Sequence, residues 1–152
     1  MSEKLRDILN QYQNLKTLNN LLSSCSSIML IEHLEASEYP SPLDIWKIVA
    51  GFDINPTQKI PETVPLSEVS AWFQETLWKL NLRKEIYISI GGLSGLSWTK
   101  IKILFEENWL LQIWEHGNYE IIVLNDQKKK AICLLEEEYF WEMYIISIER
   151  NF

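Results

Sequence analysis

The side chains best suited to bind a metal are few and scattered. His33, His116, Cys25 and Cys133 are the chain's complete set of histidines and cysteines. None are paired at the short spacings that zinc sites use. The stretch Gly91-Gly92-Leu93-Ser94-Gly95 follows a β-like run. It lacks the Gly-Lys-Ser/Thr of a phosphate loop and the spacing of a dinucleotide fingerprint. It reads as a flexible hairpin loop. There is no Gly-x-Ser-x-Gly elbow to present a nucleophilic serine. Cys133 alternates with Ala131 and Leu135, the pattern of a thiol buried in a sheet. From these residues we expect no enzyme activity, no cofactor and no metal.

Carboxylates form the one large set that remains. Glu106-Glu107 and Glu136-Glu137-Glu138, with Glu142, contain the paired acids that glycoside hydrolysis needs. Both groups flank predicted turns, where a run of charge is ordinarily solvated. They read better as an acidic rim for a basic partner. From residue 85 onward there are 11 acids against 6 bases, whereas residues 1–84 hold 10 against 8. Glu115 and Glu120 are expected to face each other across a His116-Gly117-Asn118 hairpin, an arrangement of like charge that favours a cationic neighbour. The predicted partner-binding set is therefore Glu106, Glu107, Glu115, Glu120, Glu136, Glu137 and Glu138. Trp114 and Trp141 are its expected aromatic anchors.

The elements that must position this rim run from helices to strands. Leu5, Ile8, Leu9, Tyr12, Leu15, Leu18 and Leu22 recur at spacings of three and four, which predicts a helix over 3–22 capped by Ser2. Residues 28–36 are read as a short helical piece, with strand as the alternative. Ser41-Pro42 starts a helix that ends at Gly51. Residues 53–65, with three prolines, read as an exposed loop. Val69, Trp72, Phe73, Thr76, Leu77 and Leu80 mark a helix from about 67 to 83. Strand-like runs follow at 85–90, 99–105, 109–115, 119–124, 130–136 and 140–149, separated by short polar turns. The expected fold is α+β in one domain of residues 1–152. A helical part (about 3–84) packs on a C-terminal antiparallel β-meander of five or six strands (about 85–149). Several of these strands are apolar on both faces, so the second face needs a cover too: further helix, a twin in a homodimer, or another protein.

Whole-chain properties narrow the partners. The chain has 152 residues, 47% of them hydrophobic, enough for a sizeable core. Its net charge of −7 argues against nucleic acid, which needs clustered cations. Lys128-Lys129-Lys130 is the one basic cluster. No apolar run approaches the roughly 18 residues of a transmembrane helix, so no membrane contact is expected. The mixed charges of Glu3, Lys4, Arg6 and Asp7 do not resemble a signal peptide, so cytoplasmic residence with reduced cysteines is the expectation.

Small size, acidity and the lack of a catalytic motif make the chain similar, in overall character, to the immunity proteins that neutralise bacterial toxins. That similarity implies inhibition by protein binding: occlusion of a basic active site on a cognate toxin domain, such as a nuclease. Two other readings stand beside it. One is a small-molecule or carbohydrate binder with a pocket lined by Trp109, Trp114 and Trp141. The other is an enzyme of unrecognised family, built around His33 or His116.

Overall fold

The chain is described from a computed structural model that places residues 2–34, 40–51, 54–91, 97–106, 109–115, 117 and 119–148. The elements in chain order are α1 (Glu3–Ser24), β1 (Ile28–His33), α2 (Pro42–Ala50), β2 (Gln58–Pro61), α3 (Leu66–Lys79), β3 (Glu85–Ile90), β4 (Thr99–Ile103), α4 (Trp109–Trp114), β5 (Ile121–Asn125), β6 (Lys130–Glu136) and β7 (Phe140–Ser147). The fold is α+β. Seven strands form one sheet in the order β1-β4-β3-β5-β6-β7-β2, each pair antiparallel.

The helix starts follow from local chemistry. Ser2 Oγ accepts from the Leu5 amide at 3.2 Å and caps α1. Ser41 and Asp44 form a reciprocal capping box ahead of α2, with Pro42 in the first turn. The end of α3 uses Asn81 at φ 63°, with the Leu82 amide donating back to the Leu77 carbonyl at 2.8 Å. Asparagine tolerates this left-handed conformation better than most residues.

Three expectations are corrected. Residues 28–33 are a strand, not a helix. β1 pairs antiparallel with β4 and carries a bulge between Leu30 and Glu32. Residues 58–61, inside the expected 53–65 loop, form β2 on the far edge, paired with β7. Both edge strands thus come from the N-terminal, predominantly helical half. Residues 109–114, read as a strand, form helix α4. Its buried residues are Trp109, Leu110, Ile113 and Trp114, two adjacent pairs one helical turn apart. The C-terminal half holds five described strands, within the expected five or six, but they do not form a simple meander. β5, β6 and β7 do follow one another as neighbours, but β4 and β5 flank β3 on opposite sides. They run parallel to each other and are joined by a crossover through α4, as parallel strands require.

The sheet is covered on both faces. One layer joins the C-terminal end of α1 (Leu18, Leu21, Leu22), α3 (Val69, Phe73, Leu77) and α4 to Ile86, Ile88, Ile101, Val123, Ile132 and Met143. The opposite face, Ile122, Leu124, Ala131, Cys133 and Ile146 among others, meets Ile45 and Val49 of α2 and the indole of Trp98. The strands apolar on both sides are explained by this second helical cover. Burial pushes the Cys133 thiol up to about 12, so it is protonated and inert at neutral pH. Among the described residues, no helix is long and apolar enough to cross a membrane.

Candidate functional site: the acidic end of the sheet

Antiparallel pairing brings distant acids to one end of the sheet. Ile90 and Leu134 both pair with Ile121. The ends of β3 and β6 and the start of β5 therefore lie side by side, and the β6–β7 turn follows directly. Gly91, Gly117, Tyr119, Glu120 and Glu136 line a polar recess of about 230 Å³ here. The Gly91 amide donates to the Glu120 carbonyl at 2.9 Å. A Cβ added at Gly91 would stand 3.2 Å from that of Glu120, so the close approach depends on glycine. Gly117, at φ 83°, provides the left-handed turn between α4 and β5.

Glu120 is the electrostatic centre of this end. Partial desolvation raises its carboxyl above the ordinary carboxylate value, and the negative charges of Glu137 and Glu136 raise it further. Among the described residues, no lysine or arginine forms an ion pair with Glu115, Glu120, Glu136, Glu137 or Glu138. A raised folded-state pKa means that stability is fully present below the unfolded value and falls as pH rises through the folded one. Glu120→Gln should therefore stabilise the protein at pH 7. Because Glu120 remains solvent-exposed, screening holds the gain to about 0.5 kcal/mol. In urea titrations across pH, that gain should vanish below the ordinary carboxylate value of 4.5. A gain that persists at pH 4 would assign it to packing instead.

The predicted site residues separate into groups. Glu120, Glu136 and Glu137 are brought together, and Glu138 is exposed in the turn beside them. Glu115 does not face Glu120 across a hairpin, because the residues before it are helical. It closes α4, its amide donating to the Leu111 carbonyl at 3.0 Å, and its charge is felt at the Cys25 thiol. Glu106 lies elsewhere, on an apolar cavity of about 310 Å³ between α3 and α4 that Leu77, Trp78, Leu82 and Trp109 also line. Glu107 and His116 fall outside the described residues.

Trp114 and Trp141 are core residues, 2% and 3% exposed. Their rings stack at 5.9 Å and 27°, with Tyr119 meeting both edge-on at 6.0 Å. Tyr119 also lines the acidic recess, so the trio forms a floor behind it. The surface of this end presents the carboxylates and not these indoles.

His33 is held in place. Its Nε2 donates to Asn19 Oδ1 at 2.6 Å and its Nδ1 shares a 2.8 Å hydrogen bond with the Thr99 hydroxyl, which can donate to a neutral ring or accept from a charged one. Burial lowers its pKa below the ordinary value, which favours that neutral form. Among the described residues, no three His, Cys, Asp or Glu side chains are gathered as metal ligands.

Sequence reasoning missed Gly91 and Tyr119 as site residues. Gly91 carried a signal, since it closes a strand and opens the glycine-rich stretch. Tyr119 carried none beyond its neighbours. Comparison with protein-family models, with curated proteins and with solved structures finds no match to this chain.

Proposed function

We propose that this chain is a non-catalytic binding protein whose acidic sheet end docks a basic protein partner and occludes it, as an immunity protein does its toxin. The observation that carries the reading is the crowding of Glu120 by Glu136 and Glu137 with no neutralising cation among the described residues. Like charges held this close cost folding energy. A cationic surface relieves that cost on binding, and the field of the cluster speeds the encounter.

The test uses the tagged protein as bait in lysate of its native host, beside a Glu120→Lys/Glu136→Lys variant. The wild type should retain one basic protein stoichiometrically. With that partner purified, the variant should associate about 10- to 100-fold more slowly at low salt. The difference should shrink toward 0.15 M salt, where the Debye length is about 8 Å. Equal association rates for the two proteins would remove the acidic end from the interaction.

A second reading, small-molecule binding, is favoured by the cavity between α3 and α4. Its volume of about 310 Å³ lies at the lower bound of ligand pockets. Trp109 lines it, whereas Trp114 and Trp141 fill the core. A bait that retains no protein while basic candidates are expressed passes the lead to this cavity.

A further inference from the structure

Most of α1 stands apart from the body. Every described side chain from Ser2 to Thr17 is exposed, and the helix first enters the core at Leu18. Asn19 ties it to β1 through His33. The free portion is about 15 residues, or roughly 22 Å at the helical rise. It is not polar all round: Leu5, Ile8, Leu9, Tyr12 and Leu15 are exposed by 40% (Leu15) to 69% (Tyr12). An isolated helix of this length is marginal in water, and an uncovered apolar stripe of this kind marks an association surface.

We propose that a second copy of this chain covers the arm, so that two α1 helices pair seam to seam in a homodimer. Three features select a copy as the occupant. Leu5, Ile8, Tyr12 and Leu15 follow alternating steps of three and four, the a/d seam of a 3.5-residue repeat, which is self-complementary. The exposed parts of these side chains amount to on the order of 400–500 Å² per arm, so two arms come near the ~1,000 Å² that a specific interface should clear. Charge points the same way. Glu3, Lys4, Arg6, Asp7 and Lys16 make the arm slightly basic in a chain of net charge −7, so two copies repel least there. The sheet faces and the β2 edge are less suited to self-association. Helices cover both sheet faces, and the β2 edge is short and carries Lys59 and Pro61, residues that discourage strand addition.

The experiment is sedimentation equilibrium of the full chain from about 1 to 100 µM, a range in which mass action reveals a micromolar dimer. The wild type should shift from 18.0 kDa toward twice that mass as concentration rises. An Ile8→Glu/Tyr12→Glu variant should stay at 18.0 kDa throughout with an unchanged near-ultraviolet tryptophan spectrum, because the arm contributes nothing to the core. Hydrogen exchange on the wild type gives a readout that needs no variant: amides of residues 5–15 should exchange more slowly as concentration rises. A wild type that remains monomeric overturns the proposal. A double variant that still dimerises overturns it as well, as does exchange that ignores concentration.

Discussion

Trp98→Ala is expected to lower the unfolding free energy by about 4 kcal/mol, at the upper end for a buried large-to-small change. The indole is 1% exposed and sits in the layer between the sheet and α2. Its Nε1 donates to the Pro40 carbonyl at 2.6 Å, immediately before the Ser41 cap of α2. Its own carbonyl accepts from the Leu34 amide at 2.8 Å, just past β1. One residue therefore fills the second core and ties the entry of α2 to an edge of the sheet. Alanine opens a cavity and strands the Pro40 carbonyl. Trp98→Phe keeps most of the volume and loses only the hydrogen bond, so it should cost about 2 kcal/mol, the scale of one buried unpaired acceptor. Urea denaturation of the two variants measures both values. A Trp98→Ala cost below about 1 kcal/mol would mean that α2 does not depend on this indole for its place on the sheet.

The same residue shows where sequence reasoning stops. Two-sided hydrophobicity in Ile121-Ile122-Val123-Leu124, now β5, indicated that the second face needed a cover, although Trp109-Leu110-Leu111, read the same way, is helical. Nothing local identified α2 as that cover, because its nine residues carry the same caps and stripe whichever surface they meet. Helices α1, α2 and α3 were legible because periodicity and caps are local properties. β1, β2 and α4 were not, for separate physical reasons. β1 has Ile and Leu in an order compatible with either period, and pairing with β4 decides it. β2 is four residues ending in Pro61, a segment with no stability until β7 offers its edge. α4 is six residues, too short for periodicity to separate helix from strand. Gln112 held the missing clue: its side chain accepts from the Ser27 amide at 3.1 Å and donates to Ser26 Oγ at 3.1 Å, bonds that pin α4 to the α1–β1 turn. The acidic site was legible in composition and in the Glu136–Glu138 turn. The placement of Glu120 beside that turn follows from the β5–β6 register, which no local pattern reveals.

The tryptophans behind the acidic end yield the second large effect. Trp114→Ala and Trp141→Ala should each cost about 3–5 kcal/mol. The double substitution should cost less than the sum by about 1 kcal/mol, because each ring is the other's stacking partner. Phenylalanine should separate the two sites. Trp114 Nε1 donates to the Tyr119 carbonyl at 3.2 Å, so Trp114→Phe leaves that carbonyl without its donor. Trp141 Nε1 is buried with no hydrogen-bond partner among the described residues, so Trp141→Phe removes an unpaired N–H and loses no bond. Trp141→Phe should be the milder change by about 1 kcal/mol, the net value of a hydrogen bond. Equal costs would show that the Trp141 N–H finds a partner in solution. The pair also separates a floor from an anchor. As a floor, Trp141 supports Tyr119 and the recess, so its loss lowers stability while affinity of the folded fraction for a basic partner holds. An anchor would lose about 2 kcal/mol of binding on truncation with little change in stability. Exposure of 3% places Trp141 on the first side of that division, leaving Glu120, Glu136 and Glu137 as the groups that would meet the proposed partner.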